Sequence, residues 1–176
     1  MATYSFIAAC DLDGGIGKDR RMCWYIKQDM KHFREVTCVN NKKNIVIMGR
    51  LTWESIGCIP LAKRTNIVVS KTLSYLYDYD DDIDTYFVSS LEDALSISFA
   101  MTNHNIFVIG GEKLYNEALS DPRCVNGHLT IVNHMFNCDT HFPINLMDNY
   151  ETINDGKWQY DDNCNVEFRF INVVRQ

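Results

Sequence analysis

Short apolar runs recur along this chain, and segments with helical spacing lie between them. The runs have the length of strands and are rich in Val, Ile, Phe or Thr. They occupy residues 4–10, 44–48, 65–69, 86–88, 105–109, 128–132 and 166–174. Because strands that alternate with helices build parallel crossover units, this pattern predicts an α/β fold with a mostly parallel sheet.

Apolar residues repeat with helical spacing in three of the intervening segments. These groups are Ile26, Met30, Phe33 and Val36; Leu91, Ala94, Leu95 and Phe99; and Leu114, Ala118 and Leu119. Ser89 and Ser90 precede the second group and are candidates for its helix cap. After Pro143 the pattern changes to two strands with no convincing helix between them, which predicts a closing antiparallel hairpin at the sheet edge.

The size and composition of the chain narrow its class. Its 176 residues, of which 46% are hydrophobic, predict one domain over 1–176 with an ample core. A net charge of −6 argues against general binding to nucleic acid or to anionic membranes. The apolar run at the N-terminus is too short for a signal peptide or a membrane span. We therefore expect a cytoplasmic protein, and we expect it to be a monomer.

Neither the cysteines nor the histidines show the spacing of a metal site. The seven cysteines are widely separated and include no C-x-x-C, so reduced thiols are a simpler interpretation than zinc ligands or a dense disulfide framework. The five histidines include no H-E-x-x-H, and we expect them to be structural or solvated. The acidic stretch YDYDDDID at 77–84 is typical of a solvated surface loop.

A glycine pair follows the strand predicted at 105–109. Gly110 and Gly111 would let a phosphate approach backbone N–H groups and the positive end of the next helix. A plain tight turn would use the same residues. The chain contains neither the P-loop pattern nor the G-x-G-x-x-G dinucleotide fingerprint, so the pair alone is a weak indication of nucleotide binding.

Two more predicted strands end in a cation beside a hydroxyl group. The strand at 44–48 leads through Gly49 to Arg50 and Thr52, and Thr52 is also a candidate cap for a short helix. The strand at 65–69 leads to Ser70 and Lys71. Since open α/β sheets bind ligands at the carboxyl ends of their strands, these ends together indicate a ligand with several phosphates. The 2′-phosphate of NADPH would suit both cations.

Two charged residues allow either a structural or a ligand-binding interpretation. Asp29 borders the apolar face of the first predicted helix, and its spacing alone favours an exposed first-turn carboxylate. Arg64 precedes the strand at 65–69. It is either a surface cation or a bidentate clamp on a ligand carboxylate.

The sequence resembles dihydrofolate reductase from about residue 4 to residue 174. The segments that carry the resemblance are IAACDLDGGIGKDRRMCW at 7–24, DMKHF at 29–33, IVIMGRLTWESI at 45–56, PLAKRTNIVVSK at 60–71, IFVIGGEKLYNEAL at 106–119 and CDTHFP at 138–143. Each is modest alone, but their order and spacing are specific. The resemblance implies a mixed, mostly parallel eight-stranded sheet with an antiparallel C-terminal edge and flanking helices.

The resemblance also implies which residues bind substrate and cofactor. Asp29 matches the sole acid of the pteridine pocket, Thr130 the hydroxyl that supports it, and Arg64 the clamp on the α-carboxylate of dihydrofolate. Further substrate contacts match Ile7, Ala8, Met30, Phe33, Ile56, Leu61, Ile109 and Tyr115. NADPH contacts match Ala9, Gly15, Ile16, Gly17, Lys18, Gly49, Arg50, Leu51, Thr52, Ser70, Lys71, Gly110, Gly111, Glu112, Lys113, Leu114 and Tyr115. The peptide between the paired glycines is cis in this family, and residues 14–24 match a mobile loop that closes over nicotinamide.

The chain departs from the family pattern at several positions. Cys23 stands where many members have Pro before Trp24, which is expected to loosen the loop. Leu51 occupies a place that is often polar or basic, and Gly57 replaces a frequent Pro. Glu112 brings a negative charge close to the expected pyrophosphate, and we expect it to point outward. The chain is too short to carry a fused thymidylate synthase.

The implied reaction is hydride transfer from NADPH to C6 of dihydrofolate with protonation at N5, in support of one-carbon metabolism. Asp29 would fix the ring, and water admitted beside Met22 and Trp24 would supply the proton. Folate-like antifolates would share the pocket. Two alternatives remain: a riboflavin-pathway reductase of the same fold, and a folate-binding protein without turnover. Asp29 with Arg64 favours folate over the former, and the full cofactor set argues against the latter.

Overall fold

The structure is a computed structural model that describes residues 2–39, 43–75, 84–101 and 104–176. Its helices are α1 (Lys27–Thr37), α2 (Arg50–Ser55), α3 (Leu91–Ala100) and α4 (Glu112–Ser120). Its strands are β1 (Tyr4–Asp11), β2 (Gly15–Gly17), β3 (Ile45–Gly49), β4 (Thr65–Val69), β5 (Thr85–Val88), β6 (Ile106–Val108), β7 (Cys124–Val132), β8 (Thr140–His141), β9 (Tyr150–Asp155), β10 (Gln159–Asp161) and β11 (Val166–Arg175).

Nine of the strands in the described residues form one mixed sheet, in the order β10-β11-β7-β1-β6-β3-β4-β5, with β9 also paired to β11. The six strands from β7 to β5 in this order run parallel to one another. β11 is antiparallel to β7 and carries β9 and β10 on its outer edge. The predicted α/β class is confirmed, and so is the sheet of eight strand positions with an antiparallel C-terminal edge.

The central strands bury both of their faces, which explains why they appear in the sequence as continuous apolar runs. In β3, Ile45 and Ile47 join the core cluster that includes residues of α3 and α4. Val46 and Met48 alternate with them and pack with Trp53 of α2 on the opposite face. The sheet is therefore sandwiched between helices, and the strand ends stay accessible along one edge.

α1 buries a different face from the one that the apolar repeat predicts. Its buried residues are Asp29 and Thr37, whereas Met30 is 36% exposed and Phe33 is half-buried. The prediction of Met30 on the buried face was wrong, because the residues that this helix buries are polar and have hydrogen-bond partners outside it. The hydroxyl of Thr130 in β7 donates to Asp29, and the guanidinium of Arg64, just before β4, donates to Thr37.

The other helix predictions have mixed outcomes. Ser90 caps α3, since its hydroxyl accepts a hydrogen bond of 3.1 Å from the backbone N–H of Asp93, as predicted. The apolar residues predicted for the third helix are buried in α4. The prediction that Thr52 caps a helix was wrong, because α2 begins at Arg50, directly after β3, and Gly49 is its N-cap residue.

The C-terminal region contains three strands after Pro143 rather than two. β9 and β10 pair with successive halves of β11 and are separated at Gly156, whose backbone N–H bonds to the carbonyl of Phe170. The predicted hairpin is therefore an edge strand in two pieces against β11. The small sheet of β2 and β8 was not predicted, because two or three residues are too few to show a strand pattern.

The acidic stretch at 77–84, predicted as a solvated loop, lies outside the described residues except for Asp84, which is exposed and pairs with Lys43.

In the part of the chain that the structure describes, none of the helices combines the length and the apolar character that a membrane crossing needs.

Candidate active site

The ends of β3 and β6 meet at the glycines that the sequence assigns to a phosphate ligand. The backbone N–H of Gly49 donates to the carbonyl of Gly110 at 2.7 Å. A Cβ atom added to Gly111 would lie 3.5 Å from the hydroxyl oxygen of Thr52. β4 ends beside them, with Val69 in register with Gly49. The three strand ends therefore form one continuous surface, as expected for the ligand edge of an α/β sheet.

Gly110 adopts a conformation that other residues rarely accept. Its φ angle is +111°, and its peptide bond to Gly111 is cis, as the resemblance implies. A Cβ atom added here would lie 2.9 Å from the ring of Tyr115. The Tyr115 hydroxyl in turn donates to the carbonyl of Ile7 at 2.8 Å, so the glycine turn is packed against β1.

Arg50 and Lys71, the cations expected at a 2′-phosphate, are exposed. Arg50 and the neighbouring Ser70 already have partners within the protein. Arg50 lies 2.5 Å from the carboxylate of Glu54, which is also 3.8 Å from Arg20. Ser70 is buried, and its hydroxyl accepts a hydrogen bond of 3.1 Å from the backbone N–H of Leu73. Lys71 is exposed beside it. Anion binding at this end of β4 would thus exchange some internal bonds for bonds to the ligand.

The start of α4 carries the acid that departs from the family pattern. Glu112 is exposed, and its carboxylate accepts a hydrogen bond of 3.2 Å from the backbone N–H of His141 in β8. Lys113 is also exposed and lies 3.9 Å from Glu117. The exposure of Glu112 agrees with the expected outward direction, and the backbone of β8 gives its carboxylate a partner.

Asp29 is an acid held inside the protein by one hydroxyl group. It is 4% exposed, and Thr130 of β7 donates to its carboxylate at 2.6 Å. Burial raises the pKa of Asp29, and the hydrogen bond from Thr130 opposes that rise. The exposed first-turn carboxylate that spacing alone favours was therefore wrong. A buried acid with one donor keeps oxygen lone pairs for a second donor.

Arg64 is a buried guanidinium without an acidic partner in the described residues. It is 7% exposed, donates to the hydroxyl of Thr37 at 2.8 Å, and lies 5.6 Å from the ring centre of Phe33. Burial is the main cause that lowers its pKa. The alternative of a surface cation was therefore wrong. A buried cation with donors to spare is suited to an anionic ligand group.

The apolar residues expected as pocket walls differ in burial and in packing. Ile7 is buried, while Ile56, Leu61 and Ile109 are partly buried in the cluster around Trp53. Ala8 departs from its expected role as a wall, because its side chain packs in the core cluster of α3 and α4. Strand alternation therefore directs Ala8 away from the face that carries Ile7.

Trp24 lies at the end of the segment that matches the mobile loop. Its side chain is 5% exposed and packs with Ile26, Val132 and Phe168. The indole N–H is buried and has no hydrogen-bond partner among the described residues. Met22, two residues earlier, is 45% exposed. A buried indole donor without a partner is suited to a polar ligand atom or a bound water.

The loop before Trp24 forms a short hairpin that is tied to the segment before β8. Lys18 and Arg21 exchange two backbone hydrogen bonds, of 2.9 and 3.0 Å. Asp139 accepts a bond of 2.9 Å from the backbone N–H of Asp19 and donates its own N–H to the carbonyl of Gly17 at 3.0 Å. Ile16 packs against the main core cluster. The structure thus places the loop beside the strand ends.

Sequence reasoning missed three residues that organise this region. Asp11 is buried at the end of β1 and accepts hydrogen bonds from the backbone N–H groups of Asp13, Gly15 and Phe136. Thr37 holds Arg64, and Asp139 holds the loop. An acid directly after an apolar run was the available signal for Asp11. No spacing pattern distinguishes the other two.

The comparisons with known proteins agree with this geometry. The family model of dihydrofolate reductase matches residues 3–175. A protein of human herpesvirus 8 type P (isolate GK18) that carries the name dihydrofolate reductase is 39% identical over 157 residues, which cover 84% of this chain and 73% of the relative.

Larger relatives match over part of their length. The bifunctional dihydrofolate reductase-thymidylate synthase of Glycine max is 35% identical over 150 residues, which are 80% of this chain and 28% of the relative. The same-named protein of Daucus carota is 36% identical over 155 residues, with shares of 81% and 28%. The chain thus spans about a quarter of the length of these bifunctional relatives. From its fold, its site and these matches, the chain belongs to the dihydrofolate reductase family.

Proposed function

We propose that this protein reduces 7,8-dihydrofolate to 5,6,7,8-tetrahydrofolate with NADPH. The observation that carries the proposal is that two buried charges of opposite sign lie along α1: Asp29 in its first turn, and Arg64 bonded to Thr37 in its last turn. Asp29 suits the amino group and ring nitrogen of a pteridine, and Arg64 suits a carboxylate. A folate carries both kinds of group at opposite ends of an apolar body, which would suit the apolar residues expected as pocket walls.

The residues at the strand ends fit an extended phosphate-bearing cofactor. Gly49 at the start of α2 and Gly110 and Gly111 at the start of α4 carry no side chain that would cover the backbone N–H groups there, and such N–H groups favour phosphate oxygens. Arg50 and Lys71 would hold the 2′-phosphate, with Ser70 giving up part of its internal bonding. When bound, NADPH supplies the hydride for C6 of the substrate.

The protein groups orient the substrate and control its protonation. Asp29 would bind the pteridine and increase the basicity of N5, while Thr130 keeps the acid in one orientation. Water admitted beside Met22 would carry the proton to N5, and the free indole N–H of Trp24 would hold that water. Phe33, Ile56 and Leu61 would exclude other water from the ring, as a hydride transfer requires.

An absorbance assay tests this proposal. Adding dihydrofolate to the protein and NADPH should cause loss of the NADPH absorbance band, with much lower efficiency for NADH. The ribosylaminopyrimidine substrate of the riboflavin pathway should give no oxidation above background. Tight folate binding without NADPH oxidation would instead indicate a binding protein, and equal efficiency with both nucleotides would remove the 2′-phosphate role of Arg50 and Lys71.

A further inference from the structure

Two cysteines face each other across separate segments of the chain. The sulfur atoms of Cys23 and Cys138 are 3.5 Å apart, although the residues are 115 positions apart in the sequence. Both side chains are half-buried and neither forms a disulfide. Since a disulfide needs about 2.05 Å between its sulfur atoms, a relative movement of about 1.5 Å would join them.

The residues around Cys138 pack against its thiol, which faces Cys23. A Cβ atom added to Gly15 would lie 2.6 Å from its sulfur, so the thiol packs directly on that glycine. The Asp11 carboxylate lies 3.8 Å from the sulfur and accepts a hydrogen bond from the thiol. Burial, with smaller effects of Cys23 and Asp11, raises the pKa of Cys138 to about 12. The thiol of Cys138 is therefore protonated near neutral pH.

The backbones on both sides of the pair are already joined. Asp139, the neighbour of Cys138, has hydrogen bonds of 2.9 and 3.0 Å to the backbone of Asp19 and Gly17 in the loop that contains Cys23. A covalent bond between the two sulfur atoms would therefore form with little backbone movement. This condition separates the pair from two cysteines that meet by chance on a mobile surface.

We propose that Cys23 and Cys138 are a redox modification site, whose reversible disulfide fixes the 14–24 loop to the segment before β8. The oxidant is a small disulfide of the glutathione class. The Cys23 thiolate attacks one glutathione sulfur and releases one glutathione thiolate. Cys138 then loses its proton to water, and its thiolate attacks the Cys23 sulfur and releases the second glutathione as a thiolate, which takes up a proton. The protein loses two electrons and two protons, and one oxidised glutathione becomes two reduced ones.

The functional consequence rests on the proposed reductase activity. A loop that closes over an active site must open again for product or cofactor to leave, and this opening limits turnover in many enzymes. The disulfide would hold the loop in the arrangement seen here. Turnover should then fall about tenfold while the reduced protein retains full activity, because opening rather than chemistry is blocked.

The chemical part of the proposal is tested without any substrate. The full chain is equilibrated in glutathione buffers of increasing oxidised fraction, quenched with N-ethylmaleimide and mapped by peptide mass spectrometry. The expected result is a Cys23–Cys138 cross-linked peptide with the other five cysteines alkylated. Alkylated Cys23 and Cys138 at every ratio, or stable glutathione adducts without the cross-link, would overturn the proposal.

The functional part uses the same samples in the dihydrofolate assay. Oxidised parent protein should regain its turnover on adding dithiothreitol, and the Cys23→Ser and Cys138→Ser variants should be insensitive to the buffer. Cys58→Ser is the matched control, because Cys58 is exposed and should leave the sensitivity unchanged. A cross-link that leaves turnover unaltered would refute the locking of the loop. A reduced protein without activity would count against the proposed function alone.

Discussion

Asp29 is a single buried carboxylate on which the proposed chemistry depends, and Asp29→Asn tests it. Asparagine keeps the size and can still accept from Thr130, but it cannot carry the negative charge that pairs with a protonated pteridine. We expect turnover near neutral pH to fall about 10²–10⁴-fold, with recovery as the pH falls and solvent protonates the substrate. Turnover is measured against pH for both proteins. A variant within about threefold of the parent at neutral pH would remove Asp29 from the mechanism.

Arg64 is the second residue whose role can be separated from folding. Replacing it by leucine should weaken dihydrofolate binding by about 2–5 kcal/mol, because the substrate carboxylate loses its buried cation. A pteridine that lacks the glutamate should bind almost unchanged. Both affinities can be measured by fluorescence titration, with Lys63→Leu as a control at an exposed neighbour. Equal loss for both ligands would show that Arg64 is structural.

At this scale the sequence identified the charged residues but not their environment. The spacing of Asp29 on its helix favoured exposure, since a periodic pattern does not reveal a polar partner on a strand about a hundred residues away. Thr37 and Asp139 gave no signal at all, because their partners are far apart in the sequence. The resemblance supplied Asp29 and Arg64 through segments that were matched as a set, and it supplied Thr130 although no quoted segment contains that residue.

At the scale of elements, Asp11 joins the end of β1 to the two segments beside it. Asp11→Asn would put an amide N–H₂ where one oxygen now accepts from backbone N–H groups at 2.7 to 3.0 Å. We expect a loss of about 1.5–3 kcal/mol in the free energy of unfolding, the scale for a hydrogen bond to a charged group. Urea denaturation measures it. Asp13→Asn, at an exposed position, should change stability by less than about 0.5 kcal/mol.

The elements themselves were predictable where local pattern and burial agree. β4 has the predicted bounds, and β3 and β5 differ from theirs by one residue, because both faces of these strands are apolar. β9 and β10 are largely exposed and so carry little apolar pattern. The start of α2 was not predictable, because its N-cap residue is Gly49, which has no side chain that could mark a helix cap in the sequence.

At the scale of the whole molecule, the sheet order depends on contacts that no local pattern encodes. β1 lies between β6 and β7, so the first strand of the chain pairs with two strands that follow about a hundred residues later. The class of fold follows from alternation of strands and helices, but this order does not. The resemblance implied a mixed, mostly parallel sheet with an antiparallel edge but no strand order. The pairing of β1 with β7 belongs to the same long-range arrangement that brings Thr130 to Asp29.

The packing of α1 on β7 and β11 makes the stability of the molecule depend on pH through two histidines. His32 stacks on Phe170 with ring centres 4.0 Å apart, and His128 bonds to Asn172. Burial is the main cause that lowers the pKa of both; His128 lowers that of His32 further, whereas Glu35 raises it. The unfolded chain therefore takes up these protons first as the pH falls below about 6.5.

We consequently expect the free energy of unfolding to decrease through these histidines as the pH falls from about 6.5, and to be insensitive to them above that pH. Asp29 acts in the opposite direction, since its raised pKa makes the folded protein protonate first. Urea denaturation at several pH values should show that the free energy of unfolding decreases less for His32→Gln than for the parent as the pH falls. Both proteins contain Asp29, so its contribution cancels when the two are compared. His134→Gln is the control, because His134 is exposed. Parallel curves for the parent and His32→Gln would show that the burial of His32 does not contribute to the pH dependence of folding.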